Sequence, residues 1–123
     1  MKLRFRHNSL RLRVNRREVE ALACGTALQE EVVFPNDTHF VYVFEPQAGA
    51  LPQASFEGGV IRVGAPLSSV QDWAHGDSIG LYFDVSAQNA TLRVAIEKDL
   101  ECLDAPPEDR DPEAFPRADQ KAC

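Results

Sequence analysis

The sequence predicts a mainly β fold of the α+β class, a small β-barrel from two ββαββ units with two short helices and an acidic C-terminal strap. Three observations lead there. Apolar and polar residues alternate with period two in several short runs, the pattern of half-buried strands. Two stretches carrying helix-start and helix-stop residues interrupt those runs. The order strand, strand, helix, strand, strand is then met twice within 123 residues.

In the first run Leu3 and Phe5 sit between Lys2, Arg4 and Arg6; in the second Leu10, Leu12 and Val14 flank Arg11 and Arg13. A hairpin must place both apolar sets on one face. That demands Phe5 opposite Leu10, Leu3 opposite Leu12, Arg4 opposite Arg11 and Lys2 opposite Arg13. The parity leaves His7-Asn8 as a two-residue turn. Asn15 is an N-cap with Glu18 as its capping-box partner, so a helix is expected over residues 16–23, stopped at Gly25. Residues 27–34 read as a strand, Pro35-Asn36-Asp37 as a turn, 38–44 as a strongly apolar strand and 45–53 as a connecting loop.

The pattern then restarts. Residues 54–56 and 60–63 are short strands around Glu57-Gly58-Gly59. Pro66 enters a helix with Ser68 as the expected cap and Gln71 as its partner, ending at Gly76-Asp77. Ile79, Leu81, Phe83 and Val85 form one strand face; residues 86–90 turn the chain; Leu92, Val94 and Ile96 mark the last strand. Arg13-Val14 corresponds to Arg62-Val63. After a two-residue adjustment Val19, Leu22, Ala23 and Gly25 correspond to Val70, Trp73, Ala74 and Gly76. The reading is one barrel domain over 1–99, with pseudo-repeats 1–44 and 53–98. Its expected core contains Phe5, Leu12, Phe40, Trp73, Leu81, Phe83, Val94 and Ile96. Residues 100–123 form an acidic, proline-rich segment with too few apolar residues to offset its own ordering entropy, a loose tail or a strap on the barrel.

Two resemblances add to this. The stretch from Val60 to Val94, with Gly76-Asp77 just after a short helix, resembles the swapped-hairpin barrels of AbrB-type transcription factors and the related cradle-loop barrels; Gly25-Thr26 keeps only half of that Gly-Asp box. Over the whole chain, Lys2-Leu3-Arg4, Asn8-Ser9-Leu10-Arg11-Leu12-Arg13, Glu18-Val19, Ile96-Glu97-Lys98-Asp99-Leu100, Cys102-Leu103 and the stretch from Asp111 to Pro116 resemble an uncharacterised family of short bacterial proteins. The first resemblance implies DNA binding; the second implies a bacterial source and no mechanism.

Composition narrows the function classes. Residues 1–25 carry a net charge of +5 and residues 26–123 a net of −11, giving −6 overall. A globally acidic chain is not steered to nucleic acid by its field. No apolar run reaches the ~18 residues of a membrane helix, and the alternating start is unlike a signal peptide, so a cytoplasmic protein with no membrane partner is expected. Cys24, Cys102 and Cys123 are odd in number and far apart, which argues against a disulfide framework. His7, His39 and His75 are scattered, so no metal site is expected. Ser68-Ser69 lack the GxSxG context of a nucleophile, and no glycine-rich phosphate loop is present. No catalytic residue or cofactor is expected.

The anion-binding candidates are Lys2, Arg4, Arg6, Arg11 and Arg13, which the hairpin gathers on one face. Arginine suits planar partners such as phosphate or carboxylate. The favoured expectation, with an open anion site as its alternative, is internal neutralisation of Arg4, Arg11 and Arg13 by Glu30, Glu31, Glu97, Asp99 and the acidic segment. The leading function is therefore a small, non-enzymatic binding or interaction protein, with another protein as its candidate partner and nucleic acid not favoured. One alternative is an AbrB-like DNA-binding regulator; a second is a phosphate- or anion-binding barrel enzyme.

Overall fold

Eight strands and two helices follow one another as β1 (Lys2–Arg6), β2 (Ser9–Val14), α1 (Arg16–Ala23), β3 (Leu28–Val33), β4 (His39–Gln47), β5 (Gln53–Glu57), β6 (Val60–Pro66), α2 (Leu67–His75), β7 (Gly80–Ser86) and β8 (Thr91–Lys98). They are seen in a computed structural model that describes residues 1–100, 108 and 110–116. The mainly β, α+β character holds.

The strands form two four-stranded sheets, β1-β2-β8-β7 and β3-β4-β6-β5. Every hairpin is antiparallel. The two central pairs, β2·β8 and β4·β6, are parallel and join strands from opposite halves of the chain. Exchanging the halves carries one strand order onto the other. The β1–β2 register is the one that parity demands, from Lys2↔Arg13 to Arg6↔Ser9.

The helices occupy one end of the molecule and pack on each other. The hairpin turns lie at the other end, because each parallel pair begins just after two turns. Arg93 N–H donates to Asn8 O, and Val41 N–H to Gly59 O, tying those turns together. Gly58 and Gly59 both have positive φ (55° and 78°), which a two-residue turn of this hand requires.

Helix α1 has the expected capping box. Asn15 Oδ1 accepts from Glu18 N–H at 2.9 Å, and Glu18 Oε1 accepts from Asn15 N–H at 3.0 Å. Gly25, at φ +87°, follows the C-cap Cys24, whose side chain is free and exposed. Cys102 and Cys123 lie outside the described residues.

The core joins Leu10, Leu12, Val14, Val94 and Ile96 of the first sheet to Phe44, Ile61 and Val63 of the second, with Val19, Leu22, Val70 and Trp73 from the helices. Leu12, Trp73, Val94 and Ile96 of the expected core are buried. Phe40, Leu81 and Phe83 are partly buried at its margin.

Several expectations need correction. The barrel is not closed: among the described residues no ladder joins the sheets. The edges of β1 and β3 are linked near Met1, whose ammonium holds Glu18 at 2.6 Å and Glu30 at 3.2 Å and whose carbonyl accepts from the Tyr42 hydroxyl. Burial alone would depress that ammonium's pKa, but the two carboxylates outweigh it and raise it. Phe5 is on the correct face yet 58% exposed, because it sits on an edge strand toward the uncapped end. Ser68 is not a cap. Strand β6 continues to Pro66 and the helix starts at once, with no side-chain cap, while Gln71 donates to Ala23 O of α1. The loop over 45–53 is shorter than expected, since β4 keeps pairing with β6 as far as Gln47↔Pro66. Pro46 is tolerated there because β3 stops pairing at Phe44, leaving that side of β4 unpartnered. Ile79 lies just before β7, where its carbonyl accepts from Trp73 Nε1–H and Lys98 N–H.

Within the acidic segment, residues 110–116 dock beside the start of α1 and the end of β8. Arg16 N–H donates to Glu113 O and Phe115 N–H to Asp99 O. Phe115 packs at the core margin, and Lys98 Nζ lies 5.7 Å from its ring and 5.9 Å from that of Trp73 while donating to Gly76 O. Asp111 accepts from Glu113 N–H and from Asn15 Nδ2. These two bonds, the backbone one first, hold its pKa below the ordinary aspartate value.

Two outcomes follow from this packing. Phe44→Ala should lower the free energy of unfolding by about 3–5 kcal/mol, whereas Phe5→Ala should lower it by less than about 1 kcal/mol; equal losses in chemical denaturation would contradict the burial pattern. Because the folded pKa of Asp111 is depressed, its contribution is complete above the unfolded value and disappears as pH falls through the folded one. The amide signals of Ala114 and Phe115 should therefore shift with a midpoint below the ordinary aspartate range. A midpoint at or above that range would rule out carboxylate docking of this segment.

Candidate functional site

Side chains alternate across a sheet, so the registers of the first sheet define its outer face row by row. Lys2, Arg13, Glu97 and Gly80 form the row nearest the helices. Arg4, Arg11, Ala95 and Tyr82 form the next. Arg6, Ser9, Arg93 and Asp84 form the third, toward the turns. All five candidate cations, Lys2, Arg4, Arg6, Arg11 and Arg13, are thus brought together on one surface. Arg93 joins them from the other half of the chain. Six cations share these rows with two carboxylates, Asp84 and Glu97.

Glu97 is the hub. Its Oε1 lies 3.0 Å from Arg11 Nε and 3.9 Å from Arg13 Nε, and its Oε2 accepts from the Tyr82 hydroxyl at 2.8 Å. That hydrogen bond, followed by partial burial and the Glu97 charge, raises the Tyr82 pKa against the opposing pull of Arg11. The Tyr82 ring lies over Gly80, where a Cβ would strike it. Its other side stays open, and the residue is 60% exposed. Between Arg11 and Tyr82 the small side chain of Ala95 leaves a shallow hollow of about 410 Å³, bordered also by Ser9, Arg93 and Asp84.

Among the described residues the expected internal neutralisation is partial, and Glu101, Asp104, Asp109 and Asp119 of the acidic segment lie outside them. Glu97 serves Arg11 and Arg13, and Asp99 meets Lys2 at 2.7 Å. Glu30 is engaged by Met1 instead, and Glu31 lies 3.3 Å from His39. Glu113 approaches Arg16 and Arg17 on α1, away from the arginine face. Among the described residues, Arg4, Arg6 and Arg93 have no carboxylate in ion-pair contact. Among the described residues the face is therefore a set of guanidinium groups around a small-residue floor with fewer carboxylates than cations, and guanidinium groups pair with planar anions.

Sequence reasoning missed Arg93 and Tyr82. Both lie on the polar phase of their strands, which was legible, but only the parallel β2·β8 ladder brings them beside Arg11. The other candidates are dispersed. His7 occupies a turn at φ 51°, His39 sits between Glu31 and Asp37, and His75 ends α2. Among the described residues, no three His, Cys, Asp or Glu side chains converge as a metal site, and no helix is long and apolar enough to cross a membrane.

Comparison with known proteins is consistent with a chain whose chemistry has to be read from its own geometry. No curated protein and no solved structure matches it. One family model does, a family of unknown function (DUF7009), and it spans residues 1–119 of the 123, so the chain belongs to that family.

Proposed function

We propose that this chain is a non-enzymatic binding protein, acting in the cytoplasm, that receives an anionic partner on the outer face of the β1-β2-β8-β7 sheet. The observation that carries this reading is the charge imbalance there: six cations against three carboxylates, Asp84 and Glu97 in the rows and Asp99 on Lys2, with Arg4, Arg6 and Arg93 lacking an ion-pair partner among the described residues. Like charges gathered at sheet spacing repel, and a bound polyanion relieves that repulsion. The rest of the chain is acidic, so the basic face would orient an approaching anion rather than capture it from every side.

The partner we favour is an acidic protein segment. Duplex DNA fits less well. A major groove is about 12 Å wide and admits a helix or a two-stranded ribbon, while four strands at ~4.8 Å spacing already span about 14 Å. A barrel enzyme with a charged interior is also less well supported, since the interior is apolar and the cations lie outside it. We further propose that residues 1–44 and 53–98 are duplicated units. The support is that exchanging the halves maps one sheet order onto the other.

The test is binding of polyglutamate, single-stranded DNA and duplex DNA over a range of salt. Polyglutamate should bind at low salt and weaken as salt rises. The triple substitution Arg4→Ala, Arg6→Ala and Arg93→Ala should reduce that binding at least tenfold while leaving the circular dichroism spectrum unchanged. No polyglutamate binding at low salt would overturn the proposal. Tighter binding of duplex DNA than of polyglutamate would put the AbrB-like regulator ahead.

A further inference from the structure

The edge strand β1 adds a direction to this face. Asn8 O, just before β2, and Val14 O, at its end, accept from Arg93 N–H and Asp99 N–H. The even-numbered residues of β2 therefore turn their backbone groups toward β8, and its odd-numbered residues turn theirs toward β1. In the antiparallel register Arg11 and Arg13 are then bonded to Arg4 and Lys2, and Ser9 to Arg6. Leu3 and Phe5 consequently aim their N–H and C=O groups away from the sheet.

Beyond the Met1 clasp, no hydrogen bond among the described residues joins β1 to the opposite sheet. Among the described residues, the same edge displays Arg4 and Arg6 without ion-pair partners on its outer side and the exposed Phe5 ring on its inner side.

We infer that β1 is a docking edge for an extended segment of another protein whose acidic and apolar residues alternate, added to the sheet as a fifth strand. This inference rests on the anion-binding reading and specifies its partner. Side chains at i and i+2 of a strand repeat every ~6.8 Å on both partners. Carboxylates of the incoming strand thus fall opposite Arg4 and Arg6, and its apolar residues opposite Leu3 and Phe5. Charge also selects against the commonest wrong partner. A second β1 would set arginine against arginine, so the edge disfavours self-pairing while accepting an acidic strand.

The experiment uses the full chain and four peptide probes of eight residues: alternating Glu and Val, the same composition as a Glu block followed by a Val block, and two forms of the alternating peptide, N-methylated on one or on the other alternate set of amides. The alternating peptide should bind at least tenfold more tightly than the block peptide. Methylation of one amide set should abolish binding while methylation of the other is tolerated. The Leu3 and Phe5 amides should exchange more slowly in the complex. The variant Arg4→Glu/Arg6→Glu should lose the Glu-Val peptide and gain an alternating Lys-Val peptide, a reversal that an unfolded variant would not show. Equal binding of alternating and block peptides, with unchanged exchange at Leu3 and Phe5, would overturn the edge proposal and leave the anion-binding face standing. Failure of every peptide and of polyglutamate would overturn both.

Discussion

The parallel ladder between β2 and β8 is the constraint on which the rest of this structure depends. It joins residues 9–14 to residues 93–98, so it cannot form until nearly the whole chain is in place. Its counterpart, β4·β6, spans a much shorter loop. Closing a long loop costs entropy that grows only slowly with length, and the ladder is supported by the apolar side of its own strands. Leu10, Leu12 and Val14 lie beside Val94, Ile96 and the Lys98 stem, and all are buried. Because side chains alternate, the same register that buries these residues sets Arg11 and Arg13 beside Ala95 and Glu97 on the outside. Core and candidate site are two faces of one pairing.

That pairing also explains why the helices matter more than their size suggests. Each helix carries the chain out of one sheet and into the other, α1 from β2 to β3 and α2 from β6 to β7. No hairpin pairs with the other hairpin of its own half. The helices close only one end of the space between the sheets, while Phe5 and Phe56 stay exposed toward the other. The outer arginine face adds little to stability by itself. Exposed ion pairs contribute ~0–1 kcal/mol each, and Glu97 must be shared between two arginines and a tyrosine. Folding alone does not require such an excess of positive charge, which is a physical reason to look for its use in binding.

Much of this was legible where the determinants are local. Parity alone fixed the Phe5–Leu10 pairing and its arginine neighbours, and Asn15 with Glu18 announced helix α1. The Ser68 cap failed because Pro66 ends a strand and starts a helix without an intervening cap residue, a junction that only the β4·β6 ladder reveals. Phe5 was placed on the correct face but not at the correct depth, since burial depends on what lies opposite the sheet rather than on the strand's own pattern. Arg93 was invisible for a related reason: nothing near residue 93 states that its neighbour will be Ser9. Glu30 and Glu31 were available charges whose partners, Met1 and His39, are set by the seam and the β3–β4 hairpin. The open barrel was equally beyond local pattern, which specifies strands but not whether edges meet.

The edges themselves supply the last step. A sheet that stops short of closure keeps unpaired backbone groups, and such edges attract unwanted partners unless charge, proline or distortion guards them. On β1 the guard is Lys2, Arg4 and Arg6, three like charges on one side of a five-residue strand. The same guard is asymmetric in what it excludes. It repels a basic or self-similar strand and leaves an acidic one both its hydrogen bonds and its counter-charges. Closing the barrel would have removed the hazard and the opportunity together. The excess of arginine on this sheet is coherent with a fold whose two sheets share no ladder among the described residues and with the proposal that charge decides what pairs with β1.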